Sequence, residues 1–570
     1  MKQINLIYLL CIAFTMLSSC EDFLERPPFD SIDDSEYWKT EEHIRSYTYG
    51  FYPSLFNGYG TSGLIGGSSF GNGDMNNDDI AVNVQSEFTP IRIPDSDGGW
   101  SFTNIRKSNY LIEKAATVPG LNVEALNHWN GIGRFFRSYF YSNLVFAYGD
   151  CPWYDHRLST NERKELFKDR QPRTEVVKNI IKDFEYALAN VRHEDGKLTI
   201  NKYVVAAMVS RLMLREGTFL KYHNIDLNLA DECLRLSRDA SKIVMSSAKY
   251  NICDNYNSLF SSDDLASNSE CIFYRKYVNG ILTHCVLTYN NAEAQTGASK
   301  ALMESYLNDK GLPVHLDPTW EPKTAEDFFK NRDPRLTASF RQKFYLRGED
   351  CTPFNYSTSG YSMRKFMDDS QSQSSDLKFR GQNNETDCPI LRYAEVLLNY
   401  AEARYELGEL TQDDLNNSIN LLWKRVNMPY LQIMGSEPAI DSKVYDDPRR
   451  DQTVPSLLWE IRRERRIELC FEGHRYNDLK RWKKLDYMCN ETNPDIRYGA
   501  YISYKDYPKA NRKEVFIEDG KNEGFILCNR GAQRQAPKDR NYVKPIPKDQ
   551  IQLYKDNGYT LSQTKEWIEQ

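Results

Sequence analysis

The sequence predicts a mainly α-helical fold: an array of stacked helical hairpins of tetratricopeptide type, with a loop-rich, irregular stretch that carries few short strands. Three observations lead there. Long amphipathic segments recur in pairs with short connections between residues 41 and 250 and again between 389 and 485. The stretch between them, 251–386, loses the helical spacing and offers only short strand-like runs. Apolar residues make up 40% of the 570 and charged residues 27%, which suits a folded chain with a large core.

The start of the chain stands apart. After Met1-Lys2, an almost unbroken apolar run from Ile4 to Leu17 ends in Leu17-Ser18-Ser19-Cys20. The run is too short and wrongly flanked to span a bilayer. Small residues ahead of a cysteine at this point read as a lipobox, so 1–19 is expected to be a signal peptide and Cys20 the lipidated first residue. The alternative is an ordinary secretory signal with a chance cysteine. Several acyl chains hold a protein stably on a membrane where a single one does not. Residues 20–40, with Glu21-Asp22 and Arg26-Pro27-Pro28, read as an extended leader. No second stretch is long enough to span a bilayer, so Cys20 would be the only membrane attachment.

Helices are expected over 41–55, 100–116, 123–148, 174–191, 201–220 and 229–245. The fourth shows the pattern most clearly, with Val177, Ile180, Ile181, Phe184, Leu188 and Val191 three or four apart. Gly149-Asp150-Cys151-Pro152 stops the third. The segment 58–99, rich in Gly, Asn, Asp and Ser, keeps no period and reads as a long irregular excursion; loops of that length in compact domains tend to carry function. Short strands are expected at 270–277 and 284–289, and a surface loop at 368–385. Helices return at 389–407 and 413–426, and a charged helix or helix pair spans 454–482, broken near Gly473. The strict tetratricopeptide consensus is absent, so the period alone gives a helical-hairpin array. The organisation expected is 41–250 as an N-terminal helical region and 251–570 as a C-terminal one, with helical repeats at 389–485.

Without residues 1–19 the chain carries 72 basic and 80 acidic residues, a mild acidity that argues against a nucleic-acid surface. The ten remaining cysteines (151, 233, 253, 271, 285, 351, 388, 470, 489 and 528) show no CxxC pair or zinc spacing and read mostly as buried thiols, with Cys351–Cys388 a candidate bridge. No HExxH, GxSxG or phosphate-loop pattern occurs. Asn72, Asp74, Asn76, Asp78 and Asp79 could offer oxygens to calcium, but no Glu closes an EF-hand loop, and no metal site is assigned. Glu464, Arg465, Arg466, Glu468, Glu472, Arg475 and Asp478 are spaced three and four apart, which reads as charges pairing along one helix rather than as an acid–base site. Abundant carboxylates leave glycoside hydrolysis open, but nothing singles out a pair.

Several segments, in order along nearly the whole chain, together resemble the SusD/RagB family of nutrient-binding surface lipoproteins. They are the anchor with Glu21-Asp22, the run from Gly133 to Tyr139 followed by Leu144 to Pro152, and Asn331-Arg332-Asp333-Pro334-Arg335-Leu336. Further on come Leu391 to Ala403, Asn420 to Pro429, the run from Glu464 to Leu469 with Phe471 to Arg475, Asp478 to Trp482, and Pro545-Ile546-Pro547. The resemblance implies four tetratricopeptide-like units, a non-catalytic protein without a cofactor, and a place on the outer membrane facing the exterior. It also implies a SusC-like, TonB-dependent β-barrel partner to which oligosaccharides, or peptides in some members, are delivered; a lipid-anchored glycoside hydrolase is the more distant alternative.

Sugar binding asks for aromatic faces under the ring and Asn, Asp, Gln or Arg at its rim, on loops held by a rigid base. Tyrosine is abundant, with 37 residues, although tyrosines also cap helix seams. Two segments fit: Phe70, Asn72 and Asp74 in the excursion, and Tyr289, Asn291 and Trp320 further along. Trp320, close to Pro318, could equally pack the base of its own loop, and Trp100 reads as core.

Overall fold

The structure is a computed structural model and describes residues 37–60, 70, 76–82, 92–286, 296–349, 357–367, 381–518, 520–531 and 534–568. Its principal helices are α1 (Glu41–Tyr49), α2 (Thr103–Ala115), α3 (Val123–Tyr148), α4 (Arg173–Asn190), α5 (Lys202–Tyr222), α6 (Leu227–Met245), α7 (Tyr393–Glu406), α8 (Ser456–Glu468) and α9 (Arg475–Arg481). The expected hairpin scaffold is what forms: α3 packs on α2 and α4, α5 on α6, and α7 on α5, α6 and α8.

Local signals set the ends. Asn122, Asn201 and Asp226 each cap a helix by accepting backbone N–H groups of its first turn, from Ala125, Tyr203 and Val204, and Leu229. Gly149, at φ 77°, ends α3 in a conformation that favours glycine. Gly217 lets α5 and α6 approach closely: a Cβ there would sit 2.9 Å from the Ala230 carbonyl oxygen and from Leu234. Bidentate ion pairs then stitch neighbouring helices. Arg137 on α3 holds Asp183 on α4 at 2.8 Å through both nitrogens, and Arg173 on α4 holds Glu216 on α5 at 2.6 and 2.7 Å. Arg211 on α5 grips Glu395 on α7 at 2.5 and 2.6 Å.

Eleven short strands accompany the helices among the described residues: β1 (Ile80–Val82), β2 (Cys271–Arg275), β3 (Thr296–Ala298), β4 (Phe340–Phe344), β5 (Tyr361–Met363), β6 (Cys388–Arg392), β7 (Gln432–Met434), β8 (Glu437–Ile440), β9 (Lys443–Val444), β10 (Tyr498–Ser503) and β11 (Glu523–Leu527). They pair antiparallel as β1–β3, β2–β6, β4–β5, β7–β8–β9 and β10–β11. Three expectations are corrected. The helix expected from 389 begins at Tyr393, because 388–392 is β6; Pro389 offers no N–H and pushes its predecessor into extended backbone. The strand expected at 284–289 is a single bridge, His284 with Asn384, before the described residues stop at 286. The helix expected over 413–426 is two short pieces, Gln412–Asn416 and Ile419–Arg425.

Two large apolar cores and two small clusters result among the described residues. One large core runs through the helical scaffold and takes in Phe135, Phe184, Val205, Leu397 and Leu457. The other lies in the loop-rich part around Leu302, Phe340, Phe366, Phe471 and Ile526. Trp100 is buried against Tyr148, as expected. The nine described cysteines are free thiols, and seven are buried. Cys388 is among the buried ones, and its candidate bridge partner Cys351 lies outside the described residues. Among the described residues no helix is long and apolar enough to cross a membrane.

Candidate functional site

The β1–β3 ladder ties the excursion 58–99 to the stretch that carries Tyr289 and Asn291. Ile80 pairs with Ala298, Ala81 with Gly297 and Val82 with Thr296. The segments 83–91 and 287–295 therefore leave the same end of the ladder, whereas Asn72 and Asp74 precede its other end. Ser299 closes the other end: its N–H donates to the Asp79 carbonyl at 2.8 Å and its hydroxyl to the Asp78 carbonyl at 2.7 Å. Gly297 is required beside the serines that lead into β5, because a Cβ there would collide with the Ser357 and Ser359 hydroxyls. The base of the excursion is fixed as well. Phe70 is buried edge-on to Tyr59 and Phe366, and Asn76 accepts from Arg534 at 3.2 Å.

Asp78 and Asp79 are bound by arginines from the far end of the chain. Arg475 holds Asp78 with two bonds of 2.7 and 2.8 Å; Arg466 reaches Asp79 at 2.7 Å and Asp78 at 3.2 Å. Burial opposes charge on Asp78, but Arg466 and Arg475 outweigh it and hold its carboxyl below the usual range. Burial and the adjacent Asp78 charge raise Asp79. Both carboxylates are thus committed to arginines, which explains acidic residues here without calcium.

Of the residues named from sequence, Phe70 has a packing position. Trp320 is partly buried, 5.3 Å from the His315 ring and 6.0 Å from Phe328, with the Arg332 guanidinium 5.3 Å over its ring. One face is therefore occupied, and the ring braces its loop on the second core. Cys20, Asn72, Asp74, Tyr289 and Asn291 lie outside the described residues.

The charged α8–α9 segment does not behave as the spacing suggests. Most of its charges pair with distant parts of the chain rather than along the helix. Arg335 binds Asp333 at 2.8 Å, Glu464, and Glu468 at 3.0 Å. Arg392 binds Glu270 at 2.9 Å and both Glu468 and Glu472 at 2.7 Å. Arg425 adds bonds to Glu270 and Glu468, and Lys365 one to Glu472. All these side chains are essentially excluded from water. Intrahelical pairing fails as an account because α8 runs between the two cores: Leu457 and Ile461 enter one, Ile467 the other, and nearly every residue is covered. Buried charges need partners, and these come from the segments packed alongside. The motifs 331–336, 391–403 and 464–475 thus meet in one network. It reads as structural cement.

Beside this network opens a cavity of about 480 Å3 between α8, α9 and the segments 301–305, 447–453 and 484–495. Asp78, Arg466 and Arg475 line it, so it adjoins the foot of the β1–β3 ladder. Its walls are charged and aromatic. Asp451 accepts from Lys484 and from the Tyr487 hydroxyl at 2.6 Å; burial opposes its charge, but these bonds hold its carboxyl well below the usual range. Asp495 accepts from Arg449 at 2.7 Å and Lys300 at 2.9 Å, and Trp459 donates to Asp447 at 3.1 Å. Such a lining suits a ligand with many hydroxyls. Sequence reasoning missed it, although the dense run Asp446-Asp447-Pro448-Arg449-Arg450-Asp451 was a signal.

Comparison with known proteins agrees with this architecture. Residues 282–567, just over half of the chain, match the SusD family. The chain is 22% identical over 507 residues to SusD-like protein P38 of Formosa agariphila, covering 85% of this chain and 92% of that protein. It is similar in fold to a SusD-like carbohydrate binding protein of Bacteroides fragilis (TM-score 0.64, 20% identity, 91% of this chain and 98% of the other). It is also similar to surface glycan-binding protein A of Bacteroides fluxus (TM-score 0.58, 16% identity, 92% and 99%). With its ordered motifs gathered into one buried network on a helical-hairpin scaffold, this chain belongs to the SusD family.

Proposed function

We propose that this protein captures glycans at the outer surface of the outer membrane, tethered through lipid on Cys20, and passes them to a SusC-like, TonB-dependent barrel without cleaving them. The observation that carries the reading is the β1–β3 ladder. It fixes the excursion 58–99 beside the stretch that leads from Tyr289 and Asn291 into Thr296. That is the arrangement a binding site on loops needs. The names of similar proteins, one carbohydrate binding and one surface glycan-binding, support the ligand class.

Purified protein titrated calorimetrically against a panel of neutral oligosaccharides tests the reading. Binding is expected to at least one glycan, with Tyr289→Ala and Asn291→Ala weakening it and no new reducing ends appearing on incubation. Binding of peptides alone, or steady release of products, would overturn it. Recovery of a β-barrel partner with the native protein from detergent extracts tests the transport step.

A further inference from the structure

The α8 residue Arg462 is an exception among the buried arginines. Its side chain is 6% exposed, yet neither its Nε nor its Nη2 has a hydrogen-bond acceptor. The nearest carboxylate oxygen, Glu406 Oε1, stands 3.6 Å from Nη2, and Glu406 already accepts from Tyr222 at 2.6 Å and pairs with Lys221 at 2.9 Å. The guanidinium carbon stands over two rings, 4.3 Å from the Trp482 centroid and 4.9 Å from that of Tyr222. Arg462 and Trp482 also stand where the cavity described above meets a second one of about 520 Å3, lined by Tyr222, Pro455, Leu458 and Tyr542. The other charges there are matched: Lys484 with Asp451, Arg463 with Asp447, Arg449 with Asp495. Among the described residues Asp486 is the one carboxylate that borders both cavities, and burial raises its pKa.

We propose that Arg462 is the centre of an oxyanion subsite, separate from the loop face, that takes the carboxylate or sulfate group of an acidic sugar. A guanidinium offers five N–H donors, and leaving them unmet in a buried place is costly. Oxyanions match its fork, and the two adjoining cavities leave space for the sugar that carries one.

The test uses the folded protein with sodium glucuronate, sodium sulfate and glucose, at constant ionic strength, read by calorimetry and thermal shift. Saturable binding of glucuronate or sulfate but not glucose is expected, and whichever of the two binds identifies the oxyanion. R462M should lower that affinity at least tenfold, and R462K should keep part of it. A crystal soaked in selenate should show an anomalous peak within hydrogen-bond distance of the guanidinium, which tests the site even where R462M fails to fold. No anion binding, equal binding by R462M, or, where sulfate binds, a selenate-free site would overturn the proposal. Anion binding by a protein that binds no neutral oligosaccharide would leave this proposal standing while the loop-face reading fails, so the two results are separable.

Discussion

Arg392→Met strikes the centre of the buried network, and its cost can be worked out from the geometry. Arg392 donates five hydrogen bonds: two to Glu472, one each to the carboxylates of Glu270 and Glu468, and one to the Glu468 carbonyl. Five charge-assisted bonds at ~1.5–3 kcal/mol each would sum to more than a single residue ever contributes, so the bonds cannot be added. The residual partners decide the figure. Glu270 keeps Arg425, Glu468 keeps Arg335 and Arg425, and Glu472 keeps Lys365. No carboxylate is left bare, but each loses attraction in a site closed to water, and the methionine fills most of the volume. The expected loss is that of breaking a buried pair, ~3–5 kcal/mol, a large fraction of the ~5–15 kcal/mol that holds a typical protein folded. Urea unfolding followed by tryptophan fluorescence and circular dichroism measures it. Glu270→Gln removes one repelling charge, so R392M/E270Q should be less destabilised than the sum of the single variants, by about 1–3 kcal/mol. A loss under ~1 kcal/mol for R392M, or strict additivity in the double variant, would refute the view that these charges act as one unit.

Other perturbations probe the scaffold and the ladder. Burial opposes charge on Glu402, but Arg481 at 2.6 Å draws its pKa down to about 2. Its stabilising contribution is therefore full above its unfolded pKa near 4.5 and is lost as pH falls toward 2. From this shift it amounts to about 3 kcal/mol, and urea midpoints between pH 6 and 3 should fall less steeply in E402Q. Gly217→Leu should force α5 and α6 apart at Ala230 and Leu234 and cost about 1–3 kcal/mol by overpacking, measured by thermal unfolding. Gly297→Val should collide with Ser357 and Ser359 and open the β1–β3 ladder. It is expected to abolish glycan binding in calorimetry while far-UV circular dichroism stays unchanged.

The helical part of this fold was legible because period and punctuation agree there. The expected span 123–148 matches α3 at both ends, where Asn122 caps the start and Gly149 turns the chain at the stop. The stop before α9 was readable as well: Phe471 and Gly473 both take positive φ, at the break expected near Gly473. The strands were harder to see. Three residues in β1 carry no alternation that separates them from a loop, and their partner β3 lies more than 200 positions away. The strand β6 was hidden because Ile390 and Leu391 continue the apolar stripe of α7 backward, and only Pro389 hints at the change. The charges of α8 misled for a physical reason: spacing of three and four is required for intrahelical pairs, but it does not tell an exposed helix from one enclosed by other segments. The ladder that ties the excursion to the stretch carrying Tyr289 and Asn291 is a tertiary contact with no local trace. Cavity residues such as Trp459 and Tyr487 converge from segments whose only shared signal is charge density.

The central claim is binding without chemistry on a loop face braced by the β1–β3 ladder. Calorimetric titration of the wild type and Gly297→Val with the same neutral oligosaccharide, followed by chromatography of the recovered sugar, tests it most directly. The account predicts saturable binding by the wild type, none by the variant, and sugar recovered intact from both. Equal affinity in the two proteins, or shortened sugar in the wild-type sample, would contradict it.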